Sequence, residues 1–316
     1  MSKFDTAGAG ELEIACGEQR VGVVALGGGL RSYEVAGREV LDGFSAGERP
    51  TSGRGQVLAP WPNRIENGSY EFDGKRMQLP LTEPEKGNAI HGLVRWATWN
   101  VVDEAPDRVV LDYVLGPQPG YPFSLALGIE YVLAEAGLAV TTTARNLGLE
   151  PCPYGLGQHP YLTLGTPTVD TLLLELAADT VLLFDERGRP AGSESVAGTE
   201  FDFRAGRTIG GAVLDNAYGG LERAPDGRAH VLLDDPSSGS GLKLWVDETY
   251  GYVMVFTGDP LPDVDRRAIA VEPMTCPPNA FRTGESLIHL APGESVASTW
   301  GIEPRFAAAS EDLDAG

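Results

Sequence analysis

Residues 123–148 read FSLALGIEYVLAEAGLAVTTTARNLG. Phe123, Leu125, Leu127, Ile129 and Tyr131 occupy alternate positions, the period of a strand with one buried face. An amphipathic helix would repeat its apolar residues about every 3.6 positions, and this stretch does not. AEAG (134–137) then predicts a turn, and LAVTTTARN (138–146) returns as a strand rich in threonine. The stretch is expected to be an antiparallel hairpin.

The same pattern spreads in both directions. AHVLLDDPSSGSGLKLWVDETYGYVMVFTG (229–258) predicts strand, turn, strand, turn, strand. Further strands are expected in ELEIACG (11–17), RVGVVALGG (20–28), RSYEVAGREVL (31–41), RVVLDYVLG (108–116) and LLLELAADTVLLFD (172–185). Among these short strands stand 41 glycines and 23 prolines, and no long helical pattern interrupts them. The fold class is therefore all-β, a many-stranded sandwich of antiparallel sheets packed face to face. No fixed-period repeat and no linker between two cores is visible, which predicts one domain over residues 1–306. Residues 184–211 are poor in apolar side chains and rich in glycine, and are expected to be a long surface connection. The small, polar stretch 307–316 is expected to be a flexible tail.

The chain has 316 residues, 24 Lys and Arg against 45 Asp and Glu, and a formal net charge of −21. Such a charge repels phosphate backbones and anionic lipid, and no basic cluster of useful length offsets it. Neither a nucleic-acid nor a membrane partner is expected. The N-terminal residues lack a basic stretch followed by an apolar one, and no run approaches the ~18 apolar residues of a spanning helix. A cytoplasmic location is expected. Cys16, Cys152 and Cys276 are far apart and form no C-x-x-C, so buried, reduced thiols are expected rather than a disulfide framework or zinc ribbon. The glycines at 27–29 do not form G-x-G-x-x-G, and neither a P-loop nor a G-x-S-x-G occurs.

Five stretches set ionisable residues beside glycine, proline and aromatic residues. They are APWPNRIENGSYEFDG (59–74), GNAIHGLVRW (87–96), GLGQHPYLTLG (155–165), LDNAYGGL (214–221) and AVEPMTCPPNAFRTG (270–284). Each candidate has a plainer alternative. Arg64 reads equally as a solvated turn charge, His91 and His159 as satisfied core histidines, and Asp215 as a turn or cap residue. Glu272 is the least plain, because a carboxylate in an apolar strand is costly unless paired or working. Its alternative is an outward-facing strand position. His91, His159, His230 and His289 show no local metal-ligand spacing, though two of them with Asp215 and Glu272 would suffice for a dispersed site.

Taken in order, PWPNRI with its following G-x-Y-x-F-x-G (60–74), IHG (90–92), HPY (159–161), LDNAY (214–218) and EPMTCPPNAF (272–281) resemble the aldose 1-epimerases, or galactose mutarotases. The resemblance runs from about residue 20 to about residue 303. It is similar to a bacterial aldose epimerase-like branch and leaves open a neutral, phosphorylated or sulfonated hexose. It implies a large antiparallel β-supersandwich. It also implies His159 as general acid, Glu272 as general base, and Arg64, His91 and Asp215 as sugar-binding residues. No metal and no cofactor is implied, and the partner is a small-molecule aldohexose; nothing bears on oligomeric state.

Exchanging the α and β anomers of a sugar needs one acid and one base. The anomeric hydroxyl loses a proton, the ring oxygen gains one, and the opened ring closes on the other carbonyl face. Acid and base are expected on opposite sides of the hemiacetal, with mutual attraction raising the histidine and lowering the glutamate. The alternatives are a non-catalytic carbohydrate-binding protein on the same sandwich, and a glycoside hydrolase using Asp215 and Glu272. His159, and the lack of a second carboxylate within an apolar strand, weigh against the hydrolase.

Overall fold

The alternation at 125–146 becomes a ten-residue pair, Leu125–Ala134 against Gly137–Asn146, closed by a two-residue turn at Glu135 and Ala136. Leu125, Leu127, Ile129, Tyr131 and Leu133 are buried, and the residues between them are partly exposed. This hairpin sits in a nine-stranded antiparallel sheet. Its order is Asn100–Ala105, Arg108–Leu115, Leu125–Ala134, Gly137–Asn146, Ser295–Arg305, Ser240–Val246, Ala229–Asp235, Leu173–Leu176 and Arg207–Thr208. The structure, a computed structural model, describes residues 10–259 and 261–306. The tail expected at 307–316 lies outside them.

A second, eight-stranded sheet holds the site. Its order is Pro190–Ser195, Ala178–Phe184, Asp215–Leu221, Tyr252–Phe256, Ile269–Met274, Gly157–Gln158 and Val57–Leu58; Tyr161–Leu162 also pairs with Ile269–Met274. One hydrophobic core joins the two sheets: Leu111, Leu127 and Ile129 come from the first, and Val181, Val253, Val255, Ile269 and Val271 from the second. The chain is an all-β antiparallel sandwich, as its patterning predicts. Among the described residues, helix is limited to Ala280–Thr283 and a single 3-10 turn at Val169–Thr171. None of these helices is long and apolar enough to cross a membrane.

Two expectations change in detail. The stretch 229–258 does form three strands, but the third, Tyr252–Phe256, belongs to the second sheet rather than continuing the first. The stretch 184–211 is not simply a surface connection. Pro190–Ser195 folds back as an edge strand on Ala178–Phe184, and Arg207–Thr208 ends the first sheet. Pro190–Ser195 has no buried residue, so no apolar alternation marked it in the sequence.

Candidate functional site

Val253, Val255, Ile269 and Val271 point into the core. By the strand period, Met254, Phe256, Ala270, Glu272 and Met274 point to the opposite face. That face carries two small apolar clusters of its own, one around Tyr161 and Ala270 and one around Ala217, Met254 and Met274. The register sets Glu272 beside Met254, and Asp215 beside Phe256. Both carboxylates thus rise from a largely apolar floor. Glu272 is on the outward face, as its plainer reading held, yet it is only 2% exposed. Loops from 49–56 and 83–96 roof this face and leave a cavity of ≈ 750 Å³.

His159 enters the same cavity from an interrupted strand. Gly157 pairs with Met274, Tyr161 with Ala270 and Leu162 with Ile269. Carried through the interruption, this antiparallel register sets His159 directly opposite Glu272. Pro160 lacks an N–H, so the ladder cannot be continuous there, although its carbonyl accepts from the Val271 N–H at 3.2 Å. The His159 carbonyl accepts from the Gly55 N–H at 2.9 Å, and the imidazole stacks on Tyr161 with ring centroids 5.0 Å apart. Gly53 packs so closely on the ring that a Cβ would lie 2.5 Å from His159 Cδ2. The result is a 3.3 Å separation between His159 Nε2 and Glu272 Oε1. The two groups are expected on opposite sides of the hemiacetal; the structure sets them side by side.

The other three predicted residues line the same cavity. Arg64 opens the short strand Arg64–Glu66, and its fork donates to Glu83 through Nε at 2.8 Å and Nη2 at 2.9 Å. Far from being a solvated turn charge, it is mostly buried. His91 follows the paired strand Asn88–Ile90 in a left-handed conformation, φ 61°, with its N–H bound to the Asn63 carbonyl at 2.9 Å. Its ring packs edge-on to His159 at 5.4 Å. Asp215 opens the strand Asp215–Leu221 and is exposed towards the cavity. His230 and His289 do not line the cavity. His289 packs on Phe72 instead, with ring centroids 5.1 Å apart. Among the described residues no group of three or more His, Cys, Asp or Glu is placed to hold a metal ion. All three cysteines are free thiols; Cys152 and Cys276 are buried, whereas Cys16 is half-buried.

Burial, not mutual attraction, governs the charges on the facing pair. Desolvation pushes His159 down to about 3, with Arg95 and Arg54 adding to the effect. Desolvation also raises Glu272 well above the carboxylate range; Asp215 reinforces this and Arg64 opposes it. The expected raised histidine and lowered glutamate are therefore reversed. Burial, reinforced by His159, Arg95 and Arg64, holds His91 well below the ordinary histidine value. Burial raises Asp215 as well, against the pull of Arg64 and Lys86. Burial would raise Glu83 too, but the bond and charge of Arg64 outweigh it and hold Glu83 below its ordinary value. Glu272 Oε2 and the Nδ1 atoms of both histidines are buried without a protein hydrogen-bond partner. A carboxyl oxygen left open beside a pocket is a ready acceptor for a sugar hydroxyl.

Sequence reasoning missed three supporting groups. Glu83 fixes the Arg64 fork. Its only signal was a carboxylate in the polar loop EPEKGN, which marks most surface turns as well. Tyr161 stacks on His159 and donates to the Ser52 carbonyl at 2.9 Å. Arg54, buried between Asp42 and Asp263, stacks on Tyr161 in turn, with Cζ 5.2 Å from the ring centroid.

The chain as a whole is similar to known proteins. A family model described as aldose 1-epimerase matches residues 12–303. An uncharacterized protein of Escherichia coli K12, YihR, is 34% identical over 284 residues, covering 90% of this chain and 89% of its own length. The aldose 1-epimerase of the same organism is 30% identical over 279 residues, with 77% and 78% of the two chains covered. Among solved structures, an aldose epimerase homologue from Caenorhabditis elegans superposes with a TM-score of 0.85 at 21% identity, covering 95% of this chain and 99% of its own. The match across 12–303 and the two relatives at 30% or more together make this chain a member of the aldose 1-epimerase family.

Proposed function

We propose that the protein is an aldose 1-epimerase (mutarotase) that interconverts the α and β anomers of a hexose. The observation that carries this reading is the 3.3 Å His159–Glu272 pair, buried on the floor of a cavity large enough for a sugar. A sugar-binding protein needs neither an acid nor a base there. Burial opposes two net charges, so the pair shares one proton, which rests on Glu272 while the cavity holds no sugar. A bound hexose donates its anomeric hydroxyl to the open Glu272 oxygen, which stabilises the carboxylate and lets His159 take the proton at Nε2. Glu272 then removes the anomeric hydroxyl proton as His159 protonates the ring oxygen. The bond from C1 to the ring oxygen breaks and the C1 carbonyl forms. The proton is again on Glu272 and His159 is again neutral. Rotation about C1–C2 and reversal of these steps close the ring on the other face.

Arg64, His91 and Asp215 are assigned to the sugar hydroxyls, with Arg64 preorganised by Glu83. No cofactor enters these steps. Residues 1–306 are read as one catalytic domain, which is supported by a core cluster reaching from Ile14 to Ile302. The test is anomer-exchange NMR on a panel of hexoses with the spontaneous rate subtracted. Accelerated exchange that disappears in Glu272→Gln supports the reading. Sugar binding without acceleration sinks it in favour of a non-catalytic binder.

A further inference from the structure

The edge strand Pro190–Ser195 buries none of its side chains, yet the turn at 185–189 that joins it to Ala178–Phe184 is packed against the site. Gly188, at φ +67°, lies on the Arg64 guanidinium so closely that a Cβ would stand 2.8 Å from both Cζ and Nη1. Arg187 reaches onto the loop that carries Glu83. Its Nε donates to the Lys86 carbonyl at 2.7 Å. Its Nη2 donates to the Gly87 carbonyl at 3.3 Å and to Asn67 Oδ1 at 3.0 Å. The Arg187 carbonyl accepts from Asn88 Nδ2 at 2.8 Å, and the same nitrogen donates to Glu83 Oε2 at 3.1 Å. Asn88 is fully buried, and it ties the turn to the carboxylate that holds the Arg64 fork. The turn is itself braced, because Arg189 pairs with Glu66, two residues beyond Arg64, at 2.9 Å. Arg64 lines the cavity, whereas Arg187 and Gly188 do not. A guanidinium with backbone packed on it and a fixed carboxylate at its fork keeps one orientation.

We propose that Arg187 and Gly188 are positioning residues for sugar binding: the turn at 185–189 clamps the Arg64–Glu83 pair from outside the cavity and fixes the direction in which Arg64 meets a sugar hydroxyl. This deepens the mutarotase reading and rests on it. It also gives the exposed edge strand a task, since a strand without buried side chains adds little to the core but delivers this turn to the site. The packing has a counterpart at the reacting pair, where Gly53, also left-handed, lies on His159. The same added methyl group therefore separates two roles. At Gly53 it displaces the proton donor, and the loss falls on kcat. At Gly188 it displaces a group that holds the sugar alike before and during reaction, and the loss falls on KM.

The test has two readouts in Gly188→Ala and Arg187→Gln. The first is kcat and KM for anomer interconversion of the hexose that the wild-type protein turns over fastest. The second is the rate at which the Arg64 Nε–H trades its proton with solvent, read by NMR on a signal assigned by its loss in Arg64→Lys. Loosening a charge-assisted bond to a sugar hydroxyl should raise KM about tenfold and leave kcat within about threefold. The Nε–H should trade about tenfold faster as its bond to Glu83 loosens. Arg187→Gln serves if Gly188→Ala does not fold, since it removes side-chain bonds and leaves the backbone of the turn unchanged. Gly192→Ala is the control: it strains the same hairpin at φ +149°, but its Cβ would meet nothing within 4 Å, so KM and the Nε–H rate should stay at wild type. An unchanged Nε–H rate in the folded Gly188 and Arg187 variants overturns the clamp. A faster Nε–H with wild-type KM, or a loss confined to kcat, overturns its role in sugar binding. A tenfold rise of KM in Gly192→Ala also overturns it, by reducing the effect to general loosening of the hairpin. Absence of catalysed interconversion with every hexose fails the mutarotase reading instead, and the Nε–H rate then decides the clamp by itself.

Discussion

Adding one methyl group at Gly53 tests whether the position of His159 governs turnover. Gly53 sits at φ +80°, and a Cβ there would approach His159 Cδ2 to 2.5 Å and Nε2 to 2.9 Å. Restoring an ordinary contact of 3.4 Å requires a movement of about 0.9 Å in Gly53→Ala. The imidazole has little freedom to yield, because Tyr161 is stacked on one face and Glu272 stands at Nε2. A displacement near 1 Å at a reacting group costs about 10²-fold in rate. The left-handed backbone adds about 1–2 kcal/mol of strain to any substituted residue. Gly74→Ala supplies the control: its φ is +69°, but its Cβ would meet nothing within 4 Å. Both variants should lose the backbone increment in denaturant titrations, and Gly53→Ala about 1–3 kcal/mol more for the overpacked ring. Only Gly53→Ala should lose about 10²-fold in anomer exchange. Wild-type turnover in a folded Gly53→Ala protein would refute the idea that close packing against the loop at 51–56 sets the acid.

Glu272→Gln and His159→Asn should each lower turnover by about 10²–10⁴-fold while still melting cooperatively; near wild-type turnover in folded Glu272→Gln removes it from the mechanism. With His159 pushed down and Glu272 pushed up, the singly protonated pair spans a wide pH range. The acid limb of the rate profile should fall below histidine's ordinary 6.5 and the basic limb above the carboxylate range, both read as properties of the pair. A depressed histidine stabilises the fold above pH 6.5, and this contribution is lost as pH falls towards about 3, so the melting temperature of His159→Asn should gain on wild type on acidification. Glu83→Gln leaves the mostly buried Arg64 without its countercharge; it should destabilise by about 3 kcal/mol in denaturant and raise KM. Exchange should survive exhaustive chelation; loss with EDTA and recovery with zinc would revive the metal reading of His91 and His159.

The fold was legible because strands buried on one face write their period into the sequence, as Leu125 to Leu133 do. It was illegible at Pro190–Ser195, whose side chains are buried on neither face. The sheet assignment of Tyr252–Phe256 was hidden too, since alternation says which residues share a face but not which neighbour a strand chooses. All five ionisable residues marked in the sequence line one cavity, since each interrupts an apolar or glycine-rich context that needs a reason. Glu83 sits in a polar loop, where a carboxylate is unremarked. The protonation of the pair was read in the wrong direction because the sequence shows which charges are present and not how much water they keep.

The placement of His159 across from Glu272 by strand register divides the labour within the molecule. The spacing between the two side chains is inherited from the register of the sheet, with the loop at 51–56 packed against the imidazole to hold it there. The residues at the mouth belong to loops that no ladder constrains. Substitutions at 93–98 can therefore reshape the rim of the cavity while the His159–Glu272 distance stays fixed. For an engineer the sheet is a chassis to leave alone, and specificity is an interchangeable fitting bolted to its rim.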